Sequence, residues 1–300
     1  MSKPKYLFIS LISGFLLSGI PGAAVSAAGL DNSDPRYPQR NYRRFLLPNQ
    51  MKVLLISDHG LQRGAASMTV GVGSIHDPPE YQGLAHFLEH MLFLGTGKYP
   101  EGGSYQKFVS THDGFSNAFT LEERTNYHFE IAPGHLEEGL DRFVEFFVNP
   151  LFNQELVERE MKAVDSEHSK NLPVDMRRIS QVKREVYEAG HPARHFSTGS
   201  LETLERVTRN ILIDFYRREY SSNRMTLAVA GPQNLDTLQD WVAGRFNRVE
   251  NRGLKPHVLP ERYLPHSDRF REMRIKTVKD LRELILIFPL PSTIRYYRSR

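Results

Sequence analysis

The stretch that decides the fold is Gln82-Gly83-Leu84-Ala85-His86-Phe87-Leu88-Glu89-His90-Met91-Leu92-Phe93-Leu94-Gly95. Its pattern predicts a helix between Gln82 and Leu94, with Gly95 and Gly97 as stop signals. Leu84, Phe87, Leu88, Met91, Leu92, Phe93 and Leu94 leave no polar side, and a helix apolar all round is buried. Histidines and a glutamate inside such a helix are costly unless they are paired or bind a metal. His86 and His90 are four apart, so they stack on one face with Cβ atoms about 5–6 Å from each other. Two imidazoles so placed can share one cation, and Glu89, one turn beyond His86, points to the same quadrant. The competing reading is a hydrogen-bonded pair of core histidines.

A catalytic zinc commonly has three protein ligands and one open position, so a third ligand is needed. A second predicted helix, Gln154–Asn171, offers two candidates. Its apolar stripe holds Leu156, Val157, Met161 and Val164, and its polar side holds Glu155, Glu158, Arg159, Lys162, Asp165 and Lys170. Glu160 and Glu167 fall inside the apolar stripe, where a carboxylate is misplaced unless something positive meets it. The alternative is that either one pairs with Arg or His from another element or lies at a partly exposed edge.

Around these helices the pattern predicts strands at Arg43–Leu47, Lys52–Ser57, Ser67–Gly73, Phe115–Thr120, Asn126–Ala132 and Met225–Ala230. Further helices are expected at His135–Val148, Asp175–Glu188, Arg209–Tyr220 and Leu235–Phe246. Gly102-Gly103-Ser104 reads as a turn and lacks the lysine of a phosphate loop. His191 and His195 are four apart, but Gly190 and Pro192 argue for a loop. His59, His76, His112, His128, His135, His168, His257 and His266 lack a partner at ligand spacing and read as structural or solvated. Beyond Pro256, Pro260 and Pro265, strands are expected at Arg271–Val278 and Leu284–Phe288, as the start of another unit.

The 300 residues are 40% hydrophobic and 25% charged, which excludes a disordered tail, a collagen and a multi-spanning membrane protein. With a net charge of +4 and no concentrated basic stripe, no nucleic-acid partner is expected. The chain has no cysteine, which excludes disulfides, thiolate metal sites and cysteine nucleophiles. Any metal must therefore rest on imidazole and carboxylate. Lys3 and Lys5, the apolar run Tyr6–Ile20 and the small residues Ala23 to Ala28 form a signal-peptide pattern, with cleavage expected after Ala27. The run is short for a span of roughly 20 apolar residues; the alternatives are cleavage after Ala28 and an uncleaved anchor. Export to a bacterial periplasm is expected, with no stable membrane span.

His86-Phe87-Leu88-Glu89-His90 is the inverted zincin signature. With Glu158-Arg159-Glu160, Val164-Asp165-Ser166-Glu167-His168, Gly114-Phe115-Ser116-Asn117-Ala118-Phe119-Thr120 and Thr125-Asn126-Tyr127, it resembles the pitrilysin/insulysin metallopeptidases. The resemblance implies an α+β class: a two-layer antiparallel sheet-and-helix domain of the pitrilysin/processing-peptidase type, followed by the start of a second such domain. It implies one zinc ion per chain held by His86, His90 and Glu167, with Glu89 as general base toward water and Glu160 as the supporting carboxylate. Asn117 and Ala118 would lie beside the backbone of a peptide or small unfolded protein substrate. Residues 1–27 are expected to be the signal peptide, 28–42 a linker, 43–262 the catalytic domain and 263–300 the start of the truncated second domain. The family's substrate-gripping Arg and Tyr belong to a C-terminal half that is missing here. The expected function is thus a zinc endopeptidase. The alternative is a half-subunit, inactive alone, that binds or assembles or needs a C-terminal-half chain in cis or trans.

Overall fold

The computed structural model describes Tyr37, residues 39–258, Leu264 and residues 272–288. The expected signal peptide, and most of the expected linker, lie outside the described residues. The described residues up to Lys279 belong to one compact unit, and those from Asp280 onward fall outside it.

The compact unit is built on six strands: β1 (Asn41–Leu46), β2 (Lys52–Ser57), β3 (Gly64–Val70), β4 (Phe115–Thr120), β5 (Thr125–Ile131) and β6 (Met225–Gly231). Their order is β1-β2-β6-β3-β5-β4. Every pairing is antiparallel except β2 with β6, which run parallel with Val53 opposite Leu227. A single sheet face is apolar. Val53, Leu55, Met68, Tyr127, Phe129, Leu227 and Val229 are buried on it. On the opposite face the alternate residue Asn126 donates its side-chain amide to the Ser67 and Thr69 hydroxyls. This period-two alternation is what a sheet covered on one side requires.

The helices are α1 (Leu84–Leu92), α2 (Ser104–Thr111), α3 (Leu136–Val148), α4 (Gln154–Asn171), α5 (Asp175–Glu185), α6 (Leu201–Leu204), α7 (Arg209–Glu219) and α8 (Leu235–Phe246). α1 and α2 pack on β4 and β5, α3 on β3, and α8 on β1 and β2. Phe143, Phe146 and Phe147 of α3 meet Tyr127 and Phe129 mostly edge-to-face, with Phe129–Phe143 centroids 5.3 Å apart. Such pairs add about 0.5–1.5 kcal/mol beyond burial. Among the described residues no helix is long and apolar enough to cross a membrane.

Several expected ends shift by one to three residues, as where β1 runs Asn41–Leu46 and α5 stops at Glu185, and three expectations change further. β3 lies three residues earlier than Ser67–Gly73: past Val70 the ladder ends, Gly71 donates to the Arg224 carbonyl, Gly73 to His76 Nδ1, and only Ser74 and Ile75 bond the turn after β4. Gly102-Gly103 is not only a turn: Gly103, at φ 84°, caps the start of α2, an unexpected helix that buries Tyr105, Phe108 and Val109. The expected strands at Arg271–Val278 and Leu284–Phe288 do not form among the described residues 272–288, where no partner strand pairs with them.

Candidate metal centre

α1 begins at Gly83, whose φ of 93° suits glycine. The buried Asp77 carboxylate accepts hydrogen bonds from the Gly83 and Ala85 amides at 2.7 and 2.8 Å. A carboxylate there satisfies donors the helix leaves open and complements its positive end. A Cβ on Gly83 would stand 2.3 Å from the Gly199 Cα, so a second backbone segment lies directly against the start of α1. That segment delivers the Thr198 carbonyl to His86.

His86 and His90 project from α1 towards Glu167 of α4. Their Nε2 atoms are 3.3 Å apart. Glu167 Oε2 stands 3.5 Å from His86 Nε2 and 3.6 Å from His90 Nε2. Ligands about 2.0–2.1 Å from a tetrahedral zinc are about 3.3 Å from one another. The triangle therefore has the dimensions of three zinc ligands, and the donor set is two nitrogens and one oxygen. It is the only such cluster among the described residues.

The outer ring nitrogens fix the tautomers. His86 Nδ1 donates to the Thr198 carbonyl at 2.7 Å, and His90 Nδ1 donates to Glu160 Oε1 at 2.9 Å. Both Nε2 lone pairs are thereby aimed at the shared point, the arrangement that orients histidine ligands. Without a cation, burial lowers the His86 pKa and the neighbouring His90 adds to the effect. Burial also opposes charge on His90, but hydrogen bonds to Glu160 and Glu167 outweigh it and push its pKa up to about 9. The hydrogen bond from His90 holds Glu167 below the usual carboxylate range. A proton on His90 thus occupies the electrostatic role that a divalent cation can take.

Glu89 is buried beside this cluster, and burial pushes its pKa up to about 7. Its carboxylate Oε2 accepts a 2.6 Å hydrogen bond from Thr120 Oγ1 at the end of β4. Asn117 and Ala118 lie on the same strand, Asn117 exposed and Ala118 half-buried against the core. Among the described residues β4 pairs only with β5, so its other edge is open. Glu160 and Glu167 are both half-buried, and both reach His90.

Sequence reasoning missed three contributors. Thr198 acts through its backbone, so its residue type carries no signal. Thr120 closes a strand as any threonine can. Asp77, six residues before Gly83, could have been found as an acidic residue ahead of a glycine-started helix. Histidines without sequence partners also meet in space. The His76 and His257 rings lie 3.9 Å apart, as do those of His112 and His135.

Comparison with known proteins agrees with this geometry. Residues 52–190 match the family profile described as Insulinase (Peptidase family M16), and residues 206–300 match Peptidase M16 inactive domain. The chain is 42% identical to the insulin-degrading enzyme of Homo sapiens over 268 residues, 87% of this chain and 26% of that protein. It is 38% identical to the A-factor-processing enzyme of Saccharomyces cerevisiae over 278 residues, 90% of this chain and 27% of that protein. The crystal structure of pitrilysin superposes with a TM-score of 0.74 at 32% identity, covering 81% of this chain and 26% of that one. The chain therefore spans about a quarter of the length of these relatives. Profiles, superposition and ligand set converge: the chain belongs to peptidase family M16, the pitrilysin/insulysin zinc metallopeptidases, and corresponds to their N-terminal portion.

Proposed function

We propose that this chain carries the catalytic zinc site of an endopeptidase that hydrolyses peptide bonds in peptides and small unfolded proteins. The observation that carries the reading is the triangle of His86 Nε2, His90 Nε2 and Glu167 Oε2, with edges of 3.3, 3.5 and 3.6 Å. When bound, zinc supplies Lewis acidity and lowers the pKa of water from 15.7 towards about 7. Thr198 and Glu160 hold the two imidazoles in the tautomer and orientation that binding requires. Glu89, with a pKa of about 7, accepts the proton of the attacking water and returns it to the leaving amine.

The substrate adds as a strand to the open edge of β4, with Asn117 and Ala118 beside its backbone. Recognition through main-chain hydrogen bonds reads little side-chain identity. Selection then falls on size and flexibility, in keeping with relatives named for insulin and A-factor. The leader pattern in residues 1–27 supports export to the periplasm.

A second reading is a subunit that turns over peptide only with a C-terminal-half chain in cis or trans. It is supported by the exposed apolar run Leu284, Leu286, Ile287 and Phe288. Cleavage of a quenched fluorescent peptide, with and without chelator and with and without a C-terminal-half chain, tests both. Chelator-sensitive cleavage restored by zinc is expected. Cleavage indifferent to chelator, or absent in every combination, would sink the peptidase reading.

A further inference from the structure

We propose that Thr120 is a positioning residue for Glu89: its hydroxyl pins one carboxylate oxygen so that the other faces the water to be activated. The inference rests on the reading of Glu89 as proton acceptor. Thr120 Oγ1 donates to Glu89 Oε2 at 2.6 Å, and this is the only hydrogen bond to that carboxylate among the described residues. Oε1 is left for the reaction. A carboxylate held at one oxygen keeps its plane, and a general base must stay within hydrogen-bond reach of the proton it takes.

The support behind Thr120 is rigid. Its Oγ1 lies 3.3 Å from Thr125 Oγ1, across the last pair of the β4–β5 ladder. Thr125 is fully buried and donates to the Val72 carbonyl at 2.9 Å, which fixes its rotamer. The turn that follows is closed by the Leu121 amide on the Arg124 carbonyl at 2.8 Å. The Leu121 and Glu122 carbonyls accept from the Ser74 and Ile75 amides at 3.0 Å. A Cβ on Gly73 would stand 2.2 Å from the Leu121 oxygen, so glycine there lets the two backbones meet. Functional groups locked by packing and outer hydrogen bonds hold their geometry best.

Thr120 also belongs to the strand proposed to receive substrate, three residues beyond Asn117. Ser116, Ala118 and Thr120 share one side of β4 and α1 packs against that strand, whereas Phe115, Asn117 and Phe119 are exposed. The strand that docks the peptide backbone is therefore the strand that orients the base.

The test compares Thr120→Val, which keeps shape and removes the hydroxyl, with Thr120→Ser, which keeps the hydroxyl. Peptide hydrolysis is measured in the zinc-loaded chain, supplied with the C-terminal-half chain if turnover requires it, and Glu89→Gln is the control. A misplacement near 1 Å can cost about 100-fold in rate. Thr120→Val is expected to lower kcat about 10- to 100-fold with KM and zinc stoichiometry unchanged, and Thr120→Ser to restore most of it. A readout independent of turnover is the crystal structure of each variant, where the Glu89 carboxylate should rotate in Thr120→Val and keep its place in Thr120→Ser. If Glu89→Gln retains full activity, the reading of Glu89 fails. If Glu89→Gln is inactive while Thr120→Val keeps its kcat within twofold, the positioning role of Thr120 is overturned. An unmoved Glu89 carboxylate in Thr120→Val overturns it as well.

Discussion

Glu160 Oε1 accepts the Nδ1 proton of His90 at 2.9 Å, while Nε2 of the same ring stands 3.6 Å from Glu167 Oε2. Two carboxylates two turns apart on α4 thus grip one imidazole of α1 at its two nitrogens. The contact explains why Glu160 sits in an apolar stripe. Partners of this kind are worth about 10- to 100-fold in metal affinity. Glu160→Ala should weaken zinc binding by that factor, and Glu160→Gln by less, because its amide oxygen still accepts from Nδ1. Competition titration against a chromophoric chelator measures both. Unchanged affinity in Glu160→Ala would remove Glu160 from the site.

Proton and cation compete for His90. In the metal-free chain its pKa is raised from 6.5 to about 9. Zinc binding at pH 7 must then release that proton, and apparent affinity should rise about tenfold per pH unit between pH 7 and 9. The sign for stability follows from linkage. A pKa raised on folding stabilises the metal-free chain fully below pH 6.5, and that contribution fades as pH climbs through 9. Thermal melts of metal-free protein should drop across this window, and zinc-loaded protein should not follow. Parallel profiles for the two forms would contradict the shared role of proton and cation.

Glu89 is buried, yet it touches none of the three ligand atoms through a hydrogen bond. Glu89→Gln should therefore keep one zinc per chain while lowering kcat by about 100- to 10,000-fold, the range of general acid–base contributions. Metal analysis and peptide hydrolysis on one preparation check the pair of outcomes. Loss of zinc together with activity would mean Glu89 supports the metal rather than the proton transfer.

The start of α1 depends on Asp77 and on the close approach of Gly83 to Gly199. Asp77→Ala leaves buried helix amides unpaired and should cost about 2 kcal/mol. Gly83→Ala drives a methyl into the Gly199 backbone and should also push the Thr198 carbonyl away from His86. Both variants should lower the denaturant midpoint, and Gly83→Ala should weaken zinc affinity as well. Wild-type affinity in Gly83→Ala would show that the Thr198 contact contributes little.

What could be read from residues alone followed the strength of each local pattern. β2, β4, α4 and α8 have the predicted ends, because alternation or an amphipathic stripe runs unbroken up to a cap such as Asn153 or Asn234. The meeting of His86, His90 and Glu167 was legible because polar residues in apolar surroundings need a reason. The insertion of β6 between β2 and β3 was not legible, since a buried strand such as Met225–Gly231 carries no mark of its neighbours. α2 was missed because it is only eight residues long behind two glycines, although its stripe Tyr105, Phe108 and Val109 has helical spacing. Backbone partners such as the Thr198 carbonyl lie beyond any reading by side-chain type. The last segment, Leu284–Phe288, has strand composition, but its ladder needs a partner that the described residues do not supply.

X-ray absorption at the zinc edge, on the purified chain and on Glu167→Ala, probes the metal centre most directly. The account predicts one zinc per chain, bound by two imidazole nitrogens and one carboxylate oxygen at about 2.0–2.1 Å, with that carboxylate lost in the variant. A chain that holds no zinc, or a variant with an unchanged coordination shell, would contradict it.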